Sequence, residues 1–401
     1  MRLAVVTPFV DRQHGTERAL AELLDRLNRE YGCEIHLYAE RVEDLPMNSP
    51  AASPTGGSIT WHRVPSLPGP QLFKFLFWIL ANTTVRWWHR LARGRRFDLV
   101  FSPGINCLDA DFIVVHALFR RLRELSGEPS SRSQAGATQS VSPLRRLHRS
   151  AYYATVAALE RIIYANRKTR LAAVSRRTAD LLARYFNRTD IALIYNGIDT
   201  VQFSVPARLA RRQGARYRRN FSDKELVLLL IGNDWRVKGL PTVLAAMAAT
   251  RDLPLRLIVV GSEVATSFQQ SAQQLGIADR CRWESPRADV IDFYASADVY
   301  VSPSQEDSFG LPVAEAMACG LPIITSKFAG VSELIQNERD GLILSDPSNA
   351  AVLSDLLRGL HANSIGRTTL GDAAAVTTQT CTWDRNASEI WQWLQSAKRQ
   401  R

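Results

Sequence analysis

The sequence predicts an α/β protein built from two Rossmann-like domains that face a central cleft. Three observations carry that expectation. The chain has 401 residues, too many for one ordinary hydrophobic core. Short apolar strands alternate with helical stretches, and the alternation runs through twice. Each run opens on a strand, a glycine-containing loop and a helix: residues 3–7 with Gly15, then residues 227–231 with Gly232 and Gly239. The spacing places an N-terminal domain over 1–198, a second domain over 199–382 and a last amphipathic helix over 383–401.

In the first half, residues 17–29 form a helix whose Ala19, Leu20, Leu23, Leu24 and Leu27 recur at helical spacing. Strands are expected at 34–39 and 59–64, separated by a Pro-, Ser- and Gly-rich loop at 47–57. Residues 72–80 read LFKFLFWIL and lead into Val85, Trp87 and Trp88, then Arg90, Arg93, Arg95 and Arg96. That apolar run falls short of the roughly twenty residues needed to span a bilayer. It is either a core-facing helix with a basic tail or an interfacial helix with arginines on lipid headgroups. Strands follow at 97–102 and 112–116. His116 ends the second of these, and ligands of α/β sheets gather at the carboxyl ends of strands.

Residues 126–143 are poor in apolar side chains and predict a flexible loop. A long helix is expected over 144–167, carrying Arg145, Arg146, Arg149 and Arg161. A strand at 171–174 and a helix capped by Ser175 come next, then a strand at 191–195. Arginines 208, 211, 212, 216, 218 and 219 read as a solvated surface beside the linker, with contact to an anionic lipid or glycan as the functional alternative.

The richest stretch is 297–330, ADVYVSPSQEDSFGLPVAEAMACGLPIITSKFAG. It predicts strand, polar loop, helix over 313–319 and strand. Gly310 permits a tight bend, Pro312 suits a first helical turn and Gly320 suits a helix end. The loop delivers the chain to a helix N-terminus, which favours an anion such as phosphate. Asp307 precedes that helix and Glu315 lies about one turn inside it, with its side chain leaning back. Carboxylates repel phosphate but accept hydrogen bonds from hydroxyls. A ligand with both groups is a sugar nucleotide. The plainer reading is a helix with one capping and one exposed acid.

These residues resemble the signature of glycosyltransferase family 4, the retaining nucleotide-sugar transferases of GT-B fold. Asp307 stands where the family usually has Glu, while Phe309, Gly310, Leu311, Pro312, Glu315, Ala316, Met317 and Gly320 match. The resemblance extends to His14-Gly15-Thr16-Glu17, to Asn196-Gly197-Ile198-Asp199, to Lys238 and to Asp340-Gly341-Leu342. It implies that Glu315 holds the ribose, that Asp307 or the adjacent Glu306 positions the donor sugar, and that Lys238 holds the diphosphate. Ser308, Phe309, Gly310 and Leu311 complete the donor loop. The family Arg that follows the first glycine is replaced by Asn233, with Arg236 as a substitute at a different place. Gly15 and His116 would form the other wall, with His116 near the donor sugar. In other glycosyltransferases a DxD holds a divalent metal; Asp109-Ala110-Asp111 matches it formally, but no metal is expected. In the GT-B fold the last helix crosses back onto the first domain. The His116 context and the Gly-Asn-Asp-Trp loop are similar to lipopolysaccharide core glucosyltransferases.

The expectation is therefore a retaining glycosyltransferase with a UDP- or GDP-linked donor and a glycan or lipid-linked acceptor. No cofactor and no nucleic-acid partner are expected. A sugar-nucleotide epimerase and a non-catalytic glycan- or membrane-binding protein are the alternatives. The formal charge of +11 favours an anionic partner, and peripheral contact with an anionic membrane fits it. Five scattered cysteines and an N-terminus that reads as a strand suit a reducing cytoplasm.

Overall fold

The computed structural model describes residues 1–12, 15–45, 56–92, 94, 96–127, 143–287 and 289–398. His14, Arg93, Arg95, nearly all of the expected loops at 47–57 and 126–143, and the side chains of Arg145, Arg146 and Arg149 lie outside what is described. The chain divides into two compact units: residues up to Tyr195 together with those from Asp384 onward, and Asn196–Trp383.

The first unit is built on parallel strands β1 (Arg2–Val6), β2 (Phe9–Val10), β3 (Glu34–Ala39), β4 (Arg41–Val42), β5 (Ser58–Arg63), β6 (Leu99–Ser102), β7 (Phe112–Val115), β8 (Arg170–Ala173) and β9 (Ile191–Leu193). Seven of them form one sheet in the order β5-β3-β1-β6-β7-β8-β9, while β2 and β4 pair separately as a short ladder. The strands read as near-continuous apolar runs because helices cover both faces. Ala4, Val6, Ile113, Val115, Leu171 and Ala173 pack with Trp78, Val156, Tyr164 and Leu182 from the helices. Ser175 caps the helix Arg176–Phe186 as expected, accepting from the amide of Thr178 at 3.1 Å.

The final helix, Trp383–Lys398, belongs to this unit from Asp384 on. Ala387, Ile390 and Leu394 are buried along its inner stripe. Trp393 meets the edge of Phe112 at 4.6 Å and Trp391 stacks on Tyr31 at 5.1 Å. Asn386 donates to the carbonyl of Tyr195 at 2.8 Å, which pins the returning helix at the point where the chain leaves the unit.

The second unit carries β10 (Leu226–Ile231), β11 (Leu255–Val260), β12 (Cys281–Glu284), β13 (Val299–Ser302), β14 (Ile323–Ser326) and β15 (Leu342–Leu344). All pair in parallel, in the order β12-β11-β10-β13-β14-β15. That is the doubly wound order, and its topological switch point lies between β10 and β13. Leu228, Leu230, Leu257, Val259, Val301 and Ile324 form the sheet's share of the core.

The arginine-rich run corrects its expectation. It is only partly a solvated surface. It forms the helix Val205–Arg218 within the second unit, where Arg208, Arg212, Arg216 and Arg219 turn to neighbouring elements while Arg211 and Arg218 stay exposed. Arg208 Nε donates to the carbonyl of Cys319 at 2.6 Å. Arg216 is buried, donates to Asp298 at 2.9 Å and to the carbonyls of Ser296 and Glu225 at 3.1 and 3.0 Å. Arg219 lies 4.9 Å over the ring of Phe293. A guanidinium has five donors, enough to satisfy several strand-end carbonyls at once. An Arg216→Met variant removes the donor to the carbonyls of Ser296 and Glu225 and one cation from Asp298, and chemical denaturation should show a loss of about 3 kcal/mol. A change within about 0.5 kcal/mol would show that Arg212, which also donates to Asp298, suffices.

Candidate donor site

The loops that leave β10 and β13 meet at the switch point of the second sheet. The first runs from Gly232 to Gly239 and opens the helix Leu240–Ala249. The second runs from Pro303 to Gly310 and opens the helix Leu311–Ala318. The amide of Gln305 donates to the carbonyl of Val237 at 2.7 Å, so the two loops are joined directly. Gly239 is required at that junction. Its φ is +82°, and a Cβ there would stand 2.1 Å from the carbonyl oxygen of Pro303.

Gly310 enters the second helix with φ +94°. The helix therefore begins at Leu311, two residues earlier than the expected 313, because the left-handed glycine turns the chain early. Its first hydrogen bonds run from Val313 and Ala314 to the carbonyl of Gly310, at 3.0 and 3.1 Å. Pro312 has no N–H, and the amide of Leu311 lies at the open end of the helix, where the backbone dipoles favour an anion. The loop is buttressed behind. Asp307 and Ala329 form an isolated parallel bridge, with Asp307 N to Phe328 O at 3.1 Å and Gly330 N to Asp307 O at 2.9 Å.

Lys238 Nζ makes a short hydrogen-bonded ion pair with Asp307 Oδ2. The pair joins the two loops through side chains as the Gln305–Val237 bond does through backbone. Glu315 is buried on the second helix, and its Oε2 accepts from the hydroxyl of Tyr294 at 2.7 Å. Burial and the adjacent carboxylate push the Tyr294 phenol well above its ordinary value, so it remains a donor. Glu306 is also buried, whereas Ser308 is half-buried and Phe309 is buried. Arg236 is half-buried on the first loop, and its charge acts on Glu263.

Several positioning residues gave no signal in sequence. Tyr294 meets Glu315 from a helix 21 positions earlier, Ile291–Ser296. Glu263 Oε2 accepts from the amide of Trp235 at 2.6 Å, and burial raises its carboxyl. Asn233, at the position of the family arginine, turns its Oδ1 to the amide and hydroxyl of Ser262 at 3.0 and 2.8 Å. It acts there as a loop staple. Trp235 is buried between Phe268 and Trp283, at 5.8 and 5.5 Å between ring centres, and so anchors the loop in the core.

In the first unit, Gly15 is the first residue of the helix Gly15–Arg29, which comes after β1 and the short β2, and His116 follows β7 directly. His116 stands at the carboxyl edge of the seven-stranded sheet, in which β6 separates β7 from β1. His116 is half-exposed as a residue, yet burial of its ring lowers its pKa to about 4. The imidazole is neutral across the physiological range. The DxD pair serves the fold. Asp109 accepts two bonds from Arg86, at 2.7 and 2.6 Å, and Asp111 accepts from the amide of Val100 at 2.8 Å. Among the described residues no group of three or more His, Cys, Asp or Glu is placed to hold a metal ion.

Residues 14–202 match the model of Glycosyltransferase Family 4, and residues 212–376 match that of Glycosyl transferases group 1. Both models describe glycosyltransferases, and together they span most of the chain. It is 30% identical to the D-inositol 3-phosphate glycosyltransferase of Pseudarthrobacter chlorophenolicus over 237 residues, covering 54% of this chain and 53% of that one. It is 28% identical to the lipopolysaccharide glucosyltransferase WaaG of Escherichia coli over 151 residues, 37% of this chain and 40% of that one. The chain thus spans about half the length of the curated relatives it matches. Among solved structures, WaaG superposes with a TM-score of 0.78 at 18% identity, over 98% of this chain and 99% of that one. HepE of Anabaena in complex with UDP-glucose superposes at 0.70 and 16% identity, over 99% and 100%. The chain accordingly has the GT-B fold.

The lowered pKa of His116 has a direction that can be measured. Its folded value lies below the unfolded one of 6.5, so between the two the unfolded chain binds more protons. Stability is lost as pH falls from about 6.5 toward about 4. An H116Q variant should show a smaller fall in thermal midpoint over that window than the wild type. Parallel curves for the two proteins would contradict the neutral, buried imidazole.

Proposed function

We propose that this protein transfers a sugar from a nucleotide-sugar donor to a hydroxyl of a glycan or glycolipid acceptor, with retention at the anomeric carbon. The observation that carries the reading is the Lys238–Asp307 pair at the entrance of the Leu311–Ala318 helix, one turn from the buried Glu315. A departing nucleoside diphosphate gains negative charge as the glycosidic bond breaks. Lys238, with Arg236 on the same loop, and the amide end of the helix stabilise that charge where it develops. Glu315, oriented by Tyr294, accepts from the ribose hydroxyls. Asp307 turns from Lys238 to the donor sugar once phosphate replaces it, and Glu306 is the alternative acid. The loop from Ser308 to Leu311 shapes the donor pocket. Gly15 and the neutral His116 serve the acceptor side and the transferred sugar. No metal is required, because the cation and helix terminus supply the charge.

The relatives' printed names support an anionic, hydroxyl-rich acceptor: one acts on D-inositol 3-phosphate and the other on lipopolysaccharide. The net charge of +11 suits either. A cell-surface polysaccharide or lipopolysaccharide pathway is the reading favoured here. The helix Gln71–Ala92 supports the membrane part of it. Its buried side carries Trp78, Ala81, Asn82 and Arg86. Its other side exposes Phe73 (58%), Leu80 (66%), Trp87 (59%) and Leu91 (61%), with Lys74 and Arg90 also exposed. Apolar residues at helical spacing beside cations suit an anionic bilayer surface. Among the described residues no helix is long and apolar enough to cross a membrane.

Lys238→Ala or Glu315→Ala should lower the rate of transfer about 10²- to 10³-fold while circular dichroism stays unchanged. Screening UDP-, GDP- and ADP-sugars for nucleoside diphosphate release identifies the donor, and NMR of the first sugar released reports its anomer. Undiminished transfer in both variants sinks the site assignment. An inverted product sinks retention. Epimerised donor without transfer favours the epimerase, and absence of any nucleotide-induced thermal shift favours a binding protein. L80E/W87E should abolish co-sedimentation with anionic vesicles and leave donor turnover intact; retained co-sedimentation would reject the membrane face.

A further inference from the structure

Glu160 is a carboxylate with no solvent exposure (0%) on the helix Pro143–Ala165, and no step above uses it. Its Oε1 accepts from the amide of Phe119 at 2.6 Å and its Oε2 from the amide of Arg120 at 2.9 Å. Those two amides open the helix Phe119–Gly127, three residues beyond His116. A helix N-terminus is ordinarily satisfied by a local Ser, Thr, Asp or Asn. Here the acceptor reaches across from a different helix, and burying its charge is costly. Burial raises the carboxyl to about 7, opposed by the two amides and by the charge of Arg120. Tyr164, one turn along the same helix, is the other titratable group that feels it. Such a group is poorly explained as a helix cap alone.

The geometry supplies another task. The chain leaves β7 at Val115 and has only His116, Ala117 and Leu118 before the next helix starts. Leu118 is buried, and its carbonyl accepts the first bond of that helix from Leu122 at 3.1 Å. With Phe119 and Arg120 held by both oxygens of one buried carboxylate, the far end of that three-residue link is fixed. We propose that Glu160 is a positioning residue for His116, clamping the turn that presents the imidazole at the carboxyl edge of the sheet. This rests on the reading of His116 as part of the transfer site.

The test uses the full chain with E160Q, E160A and H116A variants. Gln keeps the shape and one acceptor oxygen, whereas Ala keeps neither. The readouts are kcat and donor KM for nucleoside diphosphate release from UDP-glucose or GDP-mannose, whichever the wild type turns over, and the thermal shift given by the matching nucleoside diphosphate. E160A should lower kcat about tenfold or more with donor KM and thermal shift unchanged, and E160Q should recover part of that loss. Wild-type kcat in E160A, or a kcat loss matched by a rise in donor KM, overturns the proposal. Failure of both Glu160 variants to fold overturns it too, since Glu160 is then a fold determinant. If H116A is as active as wild type, the reading of His116 fails first. If H116A is inactive while both Glu160 variants are fully active, the clamp alone fails.

Discussion

The ion pair of Lys238 with Asp307 closes the carboxyl edge of the second sheet, and the surrounding structure is arranged to hold its two members. Each sits on a loop that leaves one of the two strands flanking the switch point. Each loop is anchored before it reaches the pair. Trp235 is sunk in the core and Asn233 is tied to Ser262, while Asp307 is paired with the chain around Ala329. Two opposite charges on separately anchored loops sit where a helix begins. Before any ligand arrives Asp307 neutralises the cation, so Lys238 is not left as an uncompensated charge.

A second constraint works from the outside of the same sheet. The helix Val205–Arg218 has no strong apolar stripe and is fastened by its arginines. They reach the carbonyls of Ser296, Ala297 and Cys319 and the carboxylate of Asp298, all beside the strands or helices that lead into the site. Directional hydrogen bonds fix position more narrowly than apolar packing, which suits an element near a chain crossing between two units. These arginines therefore serve the fold.

Much of the fold was legible because its signals are local. The strands Glu34–Ala39 and Ser58–Arg63 stand where the sequence places them, within a residue. Ser175 caps its helix through a bond three residues long. The left-handed turn at Gly310 follows from the residue itself. The arginine run misled because a charged residue in sequence says nothing about what carbonyls stand opposite. The Asp109-Ala110-Asp111 match, from which no metal was expected, belongs to the fold: Asp109 accepts from Arg86, 23 positions earlier.

By itself the sequence determined the two βα halves, the glycine-entered helix with its acids, and the resemblance to a glycosyltransferase family. These depend on spacing along the chain, which folding does not change. Tertiary structure alone decided that Lys238 meets Asp307 across 69 positions and that Tyr294 orients Glu315. It alone decided that Asn233 is a staple, and that Glu160 reaches amides some 40 positions earlier. Those contacts exist only after parallel strands have lined up side by side, because crossover connections bring distant loops to one edge.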